Sequence, residues 1–83
     1  MFLHLGGDTT ARLSDIVAIL DYRAARSAAS KEYLQLARSE NRLQDISEGD
    51  PKAFVITRNA VFLSPISSLT LKKRATFLKD LGD

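Results

Sequence analysis

The residues able to do chemistry are few in this chain of 83 residues. His4 is the single histidine, and cysteine is absent. Nucleophilic catalysis needs a base held beside a serine or thiol, with a third group to orient it. A structural zinc needs a set of Cys and His ligands. No such pattern surrounds His4, which therefore reads as a structural or surface histidine. Gly6-Gly7-Asp8 lacks both the GxxxxGK[ST] and the GxGxxG spacing, so it reads as a hairpin turn and not a phosphate loop. Ser14-Asp15 and Asp21-Tyr22 carry carboxylates without a second acid at a spacing suited to acid–base work, which leaves capping and solvation as their roles. The expectation is a non-enzyme with no catalytic residue, no cofactor, no metal and no small-molecule substrate.

Positive charge is what remains. The formal net charge is only +2, but it is unevenly placed. Residues 1–51 hold six basic and eight acidic side chains, whereas residues 52–83 hold six basic and two acidic ones. A local basic patch attracts polyanions even when the whole molecule is nearly neutral. The densest part is Lys72-Lys73-Arg74, within "LSPISSLTLKKR". Successive helical residues lie about 100° apart, so the three fan across an arc instead of forming a line. Alone, such a run also suits an ordinary solvated helix face. Arg58 sits in an expected turn with Asn59, and Lys52 follows the turn Glu48-Gly49-Asp50-Pro51. From charge and exposure alone, the candidates for phosphate contact are Arg58 and Lys72-Lys73-Arg74.

The elements that must position these cations follow from pattern. "MFLHL" and "TTARL" around Gly6-Gly7-Asp8 predict a hairpin. "IVAILDY" is β-branched and short enough for a buried strand. "AARSAASKEYLQLARSEN" has helical periodicity, with Ser27 or Ser30 as N-cap and Asn41 at its C-terminal end. "RLQDIS" predicts a short strand. "KAFVIT" and "AVFLS" predict a second hairpin around Arg58-Asn59, with a left-handed Asn59. Pro65 ends that hairpin, because proline cannot donate to a sheet ladder. Ser67 or Ser68 then caps a final helix, with Leu71, Ala75, Leu78 and Leu81 as its apolar stripe and Gly82 as its end. The order β-β-β-α-β-β-β-α gives a single small α+β domain of antiparallel strands, one central helix and one C-terminal helix.

A domain this short buries a modest core, and without cysteine it has no disulfide staple, so a homo-oligomer is expected. No apolar run approaches the roughly 18–20 residues of a membrane span. "MFLHLGGDTT" lacks the basic start and long apolar centre of a secretion signal. The expected location is cytoplasmic, with no membrane partner.

Three stretches carry a family resemblance: "HLGGDTTARLSDIVAILDY", "PKAFVIT" and "VFLSPISSLTLKKR". Together they resemble the extracellular matrix regulatory protein B (RemB, YaaB) family, and more distantly the RemA family. The resemblance covers Met1 to Arg74, and its most distinctive piece is "LSPISSLTLKKR". It implies a LytTR-like α+β fold and a DNA-binding regulator of biofilm matrix genes. It also implies double-stranded DNA as partner and a homo-oligomer, as in the ring-shaped assemblies of RemA-type proteins. RemA-type chains place adjacent arginines in the turn matching Gly49–Lys52; here Asp50 and Pro51 stand there and only Lys52 is basic. The resemblance therefore moves the expected contacts to Lys52, Arg58 and Lys72-Lys73-Arg74, with Arg12 nearby. The alternative is an oligomeric protein-interaction module of the same family that does not bind DNA.

Overall fold

The computed structural model describes residues 1–82. It contains strands β1 (Phe2–Gly6), β2 (Thr9–Arg12) and β3 (Ile16–Asp21), then helix α1 (Ala28–Ser39). Strands β4 (Leu43–Asp45), β5 (Ala53–Thr57) and β6 (Val61–Ser64) follow, and helix α2 (Ser68–Gly82) closes the chain. Short 3-10 turns over Leu13–Asp15 and Tyr22–Arg26 join β2 to β3 and β3 to α1. The α+β class and the element order agree with the sequence reading.

Period-two alternation in the central strands builds three layers. In β5 and β6, Ala53, Val55 and Phe62 face a cluster with Leu3, Leu5, Ala11 and Leu71. Their neighbours Phe54, Val61 and Leu63 face the other way, against Ala37, Tyr33 and Leu34 of α1. The four-stranded sheet is thus the middle layer. Helix α1 covers one face, and the β1–β2 hairpin with α2 covers the other. Leu71 is fully buried and anchors α2; burying a leucine side chain contributes about 2 kcal/mol.

The sheet order is β3-β5-β6-β4. Its pairs are antiparallel except β4 with β6, which is parallel, in the register Leu43↔Val61 to Asp45↔Leu63. Strands β3 and β4 consequently run the same way at opposite edges, and a parallel relation needs a long crossover. Helix α1 is that crossover. The sheet is mixed because the helix returns the chain to the far edge before the β5–β6 hairpin fills the middle.

Local signals set the ends. Ser27 Oγ accepts from Ser30 N at 3.2 Å and caps α1, and Asn41 takes a left-handed φ of 59° just beyond its end. Ser67 Oγ accepts from Thr70 N at 3.2 Å and caps α2. In the β5–β6 turn, Asn59 is not left-handed. Thr57 N donates to Ala60 O at 2.8 Å and Thr57 Oγ1 accepts from Ala60 N at 3.0 Å, so the threonine closes the reversal by itself. Leu81 also departs from expectation, being exposed. Ten residues beyond Leu71, at about 100° each, it has drifted about 80° off the inward face. Leu71, Ala75 and Leu78 stay inside.

The segment "LSPISS" is a structural joint. Buried Ser64 donates from Oγ to the Leu5 carbonyl and accepts from Ile66 N at 3.0 Å. Pro65 packs on Gly6 of the β1–β2 hairpin so closely that a Cβ there would lie 2.7 Å from Pro65 Cδ. This joint sets the direction in which α2 leaves the sheet, and hence where its basic residues stand.

Candidate nucleic-acid interface

The basic residues separate into three places. The first is a corner where β3 ends. The Asp21 carboxylate accepts from Arg23 N at 2.8 Å and from Arg23 Nε and Nη2 at 3.1 and 2.8 Å. The Arg23 side-chain bonds are the main cause holding the Asp21 carboxyl well below its ordinary 3.8, at about 2, and the Lys72 charge adds to the effect. Lys52 joins the same corner through its backbone. Tyr22 N donates to Lys52 O at 3.0 Å, and Lys52 N donates to Ser64 O at 2.8 Å. Its main chain is therefore pinned between β3 and β6 while its side chain is exposed beside Asp50. A shallow depression of about 290 Å³ opens there, lined by Asp21, Arg23, Pro51, Lys52 and Ser67. Arg23 binds the Asp21 carboxylate and the Lys72 charge acts on it, while Lys52 lines the same depression with its Nζ 4.0 Å from Asp50 Oδ2.

The second place is the outer and opposite flank of α2. Lys73 and Arg74 line a groove with Phe2, His4 and Phe77. Lys72, Lys73 and Arg74 are all exposed, and none has a carboxylate within salt-bridge distance among the described residues. They fan as helical geometry requires, with Lys72 toward Asp21 and Arg74 toward β1.

Arg58 is the third place. Its N donates to Asp15 O at 3.0 Å, and its Nε lies 3.9 Å from Asp15 Oδ1. Lys52 and Arg58 flank opposite ends of β5, and six steps of about 3.3 Å set them about 20 Å apart. Of the five expected phosphate contacts, the fold sets Lys52 in the depression beside Asp21 with Lys72 acting on the same carboxylate, places Lys73 and Arg74 together along the groove between β1 and α2, and sets Arg58 apart. Arg12 lies with its guanidinium carbon 5.9 Å from the Phe2 ring centroid, away from the corner.

Arg23 is the corner residue the sequence reading missed. The signal was present: an aspartate closing a strand, with an arginine two residues on, forms a turn in which the carboxylate binds the following backbone N–H. His4 donates from Nε2 to the Gly7 carbonyl at 2.7 Å, inside the hairpin turn. Among the described residues, no group of three or more His, Cys, Asp or Glu is placed to hold a metal ion, and no helix is long and apolar enough to cross a membrane.

A family model described as "RemA-like: Extracellular matrix regulatory protein A-like" matches residues 2–75. The "Extracellular matrix regulatory protein B" of Bacillus subtilis (strain 168) is 37% identical over 81 residues, covering 98% of each chain. The match takes in both the Gly6–Pro65 joint and the basic run of α2, and the chain belongs to the RemA-like extracellular matrix regulatory protein family.

Proposed function

We propose that this protein is a non-enzymatic, cytoplasmic transcriptional regulator of extracellular matrix genes. It binds double-stranded DNA through phosphate contacts and works as a homo-oligomer. The observation that carries the reading is the set of exposed cations at the β3 corner and along α2. Arg23 and Lys52 line the depression at that corner, the Lys72 charge acts on the same Asp21 carboxylate, and Lys73 lies on the flank of α2 toward β1 without a carboxylate partner among the described residues. The printed name of the Bacillus subtilis relative supports a regulatory role.

Lys52, Lys72 and Lys73 supply the main phosphate contacts, and Arg23 adds a cation already held in place by Asp21. Arg58 and Arg74 contribute from outlying positions. No side chain is assigned to reading bases, since direct readout needs a helix or ribbon seated in a groove. Repetition of the corner in an assembly lets several weak contacts act on one duplex, and DNA shape then supplies preference.

The test replaces Lys52, Lys72 and Lys73 together with alanine and follows duplex binding across a salt series. Affinity is expected to fall for every sequence, and the slope of log K against log salt to flatten by about 0.9 per lost contact. Equal affinity and slope in a folded variant would remove the assignment. A second reading, a family member that docks a protein and not DNA, is favoured by exposed Phe2 and Phe77 and by the acidic Asp50 in the turn. It expects no binding to random-sequence duplex even at low salt.

A further inference from the structure

Several of the apolar side chains left exposed gather in one place, along β1 and the C-terminal half of α2. Phe2 and Phe77 are 60% and 63% exposed, and Met1 and Leu81 join them. Two depressions of about 600 and 470 Å³ lie along β1 and the C-terminal half of α2, and both are lined by Phe2 and Leu78. A continuous apolar surface of this kind usually marks an association site. Its lips are basic. Arg12 and Lys79 stand on one side and Lys73 and Arg74 on the other, none with a carboxylate within salt-bridge distance among the described residues. Two copies meeting groove to groove would set these charges against each other, and like charges across an interface are costly. The occupant must therefore be apolar and carry a carboxylate.

The chain holds such a surface. On the outer side of α1, Ala29, Tyr33 and Leu36 line a shallow depression with Glu32. Leu36 is 53% exposed. Glu32 is one helical turn before it, on the same side of the helix. It has no cationic partner among the described residues. Helix α1 covers one face of the sheet, while β1 and α2 cover the other. A single copy thus offers its groove and its α1 surface at the same time, in different directions.

We infer that the β1–α2 groove receives the outer face of α1 from a second copy of this chain, with Phe2 and Phe77 against Leu36 and Arg12 or Arg74 facing Glu32. The inference rests on the homo-oligomer clause of the proposed function and gives that oligomer its contact. Two different surfaces meeting make a heterologous, head-to-tail interface.

The experiment uses two full-length variants, Phe77→Glu and Leu36→Glu, at solvent-exposed positions, each checked for a wild-type thermal melt. Light scattering after size exclusion reads the mass at micromolar concentration. The wild-type protein is expected to run as an assembly and each variant alone at the chain mass of 9.2 kDa. Mixed one to one, the two are expected to form a dimer, because one keeps a working α1 face and the other a working groove. Failure of the mixture to dimerise, or persistence of the wild-type assembly in either variant, overturns the interface while leaving the oligomer intact. A monomeric wild-type protein overturns both the interface and the oligomer clause. DNA binding is read separately, from a variant with Lys52 and Lys72 alone replaced by alanine, which leaves the groove residues Lys73 and Arg74 in place.

Discussion

Two glycine-bearing turns make opposite use of the same residue. Gly6 sits at the joint between the first hairpin and Pro65, with a φ of 137° and a virtual Cβ 2.7 Å from the proline ring. Gly49 sits in the turn before β5, with a φ of 85° and nothing within 4 Å of its virtual Cβ. Both conformations favour glycine, but only Gly6 is also closed in by packing. The joint is therefore architectural, whereas the Glu48–Lys52 turn tolerates change in its side chains.

Substitution at the two glycines offers the largest expected contrast. Gly6→Ala combines backbone strain with a clash and should lose roughly 3–5 kcal/mol of stability or fail to fold. Gly49→Ala should lose about 1 kcal/mol, from the backbone alone. Urea denaturation of both variants measures the difference, and similar losses would break the comparison.

Ser64→Ala sharpens the same point from the other side of the joint. It leaves the Leu5 carbonyl and the Ile66 N–H without their partner in a buried site. The expected loss is about 2 kcal/mol, read as a lower denaturation midpoint at an unchanged slope. A loss within error would mean that the joint is held by Pro65 packing alone.

The smallest effect is expected at the exposed corner. Asp21 titrates at about 2 in the folded protein against an ordinary 3.8. A lowered carboxyl pKa contributes stability that is fully present above the unfolded value and fades as pH falls through the folded one. Asp21→Asn should therefore lower the melting temperature at neutral pH and flatten its decline between about pH 4 and pH 2, so that the two proteins converge in acid. Identical acid limbs in the two proteins would show that Arg23 does not hold the carboxylate in solution.

Much of the fold was legible because its determinants are local. The first hairpin needed only Gly6-Gly7 between strand-forming residues. Ser27 and Ser67 announced two helices by their capping chemistry, and Pro65 announced the end of β6. The basic run was legible as charge, and its fan across α2 followed from helical geometry. The same kind of signal was overlooked at Asp21 and Arg23, where a turn of two residues places a cation at the corner.

The sequence by itself determined the α+β class, the element order, the caps and the family signature, since each depends on neighbours a few residues apart. Tertiary structure decided how those elements meet. The α1 crossover placed β4 parallel to β6, which no local pattern specifies. The strand register carried Lys52 to the Asp21 corner and Arg58 to the far end of β5, because distance along a strand becomes distance across the surface. The drift of helical phase turned Phe77 and Leu81 outward beside β1. Which cations share a surface, and which apolar residues lack a cover, are long-range outcomes of packing the hairpin and α2 on one face of the sheet and α1 on the other.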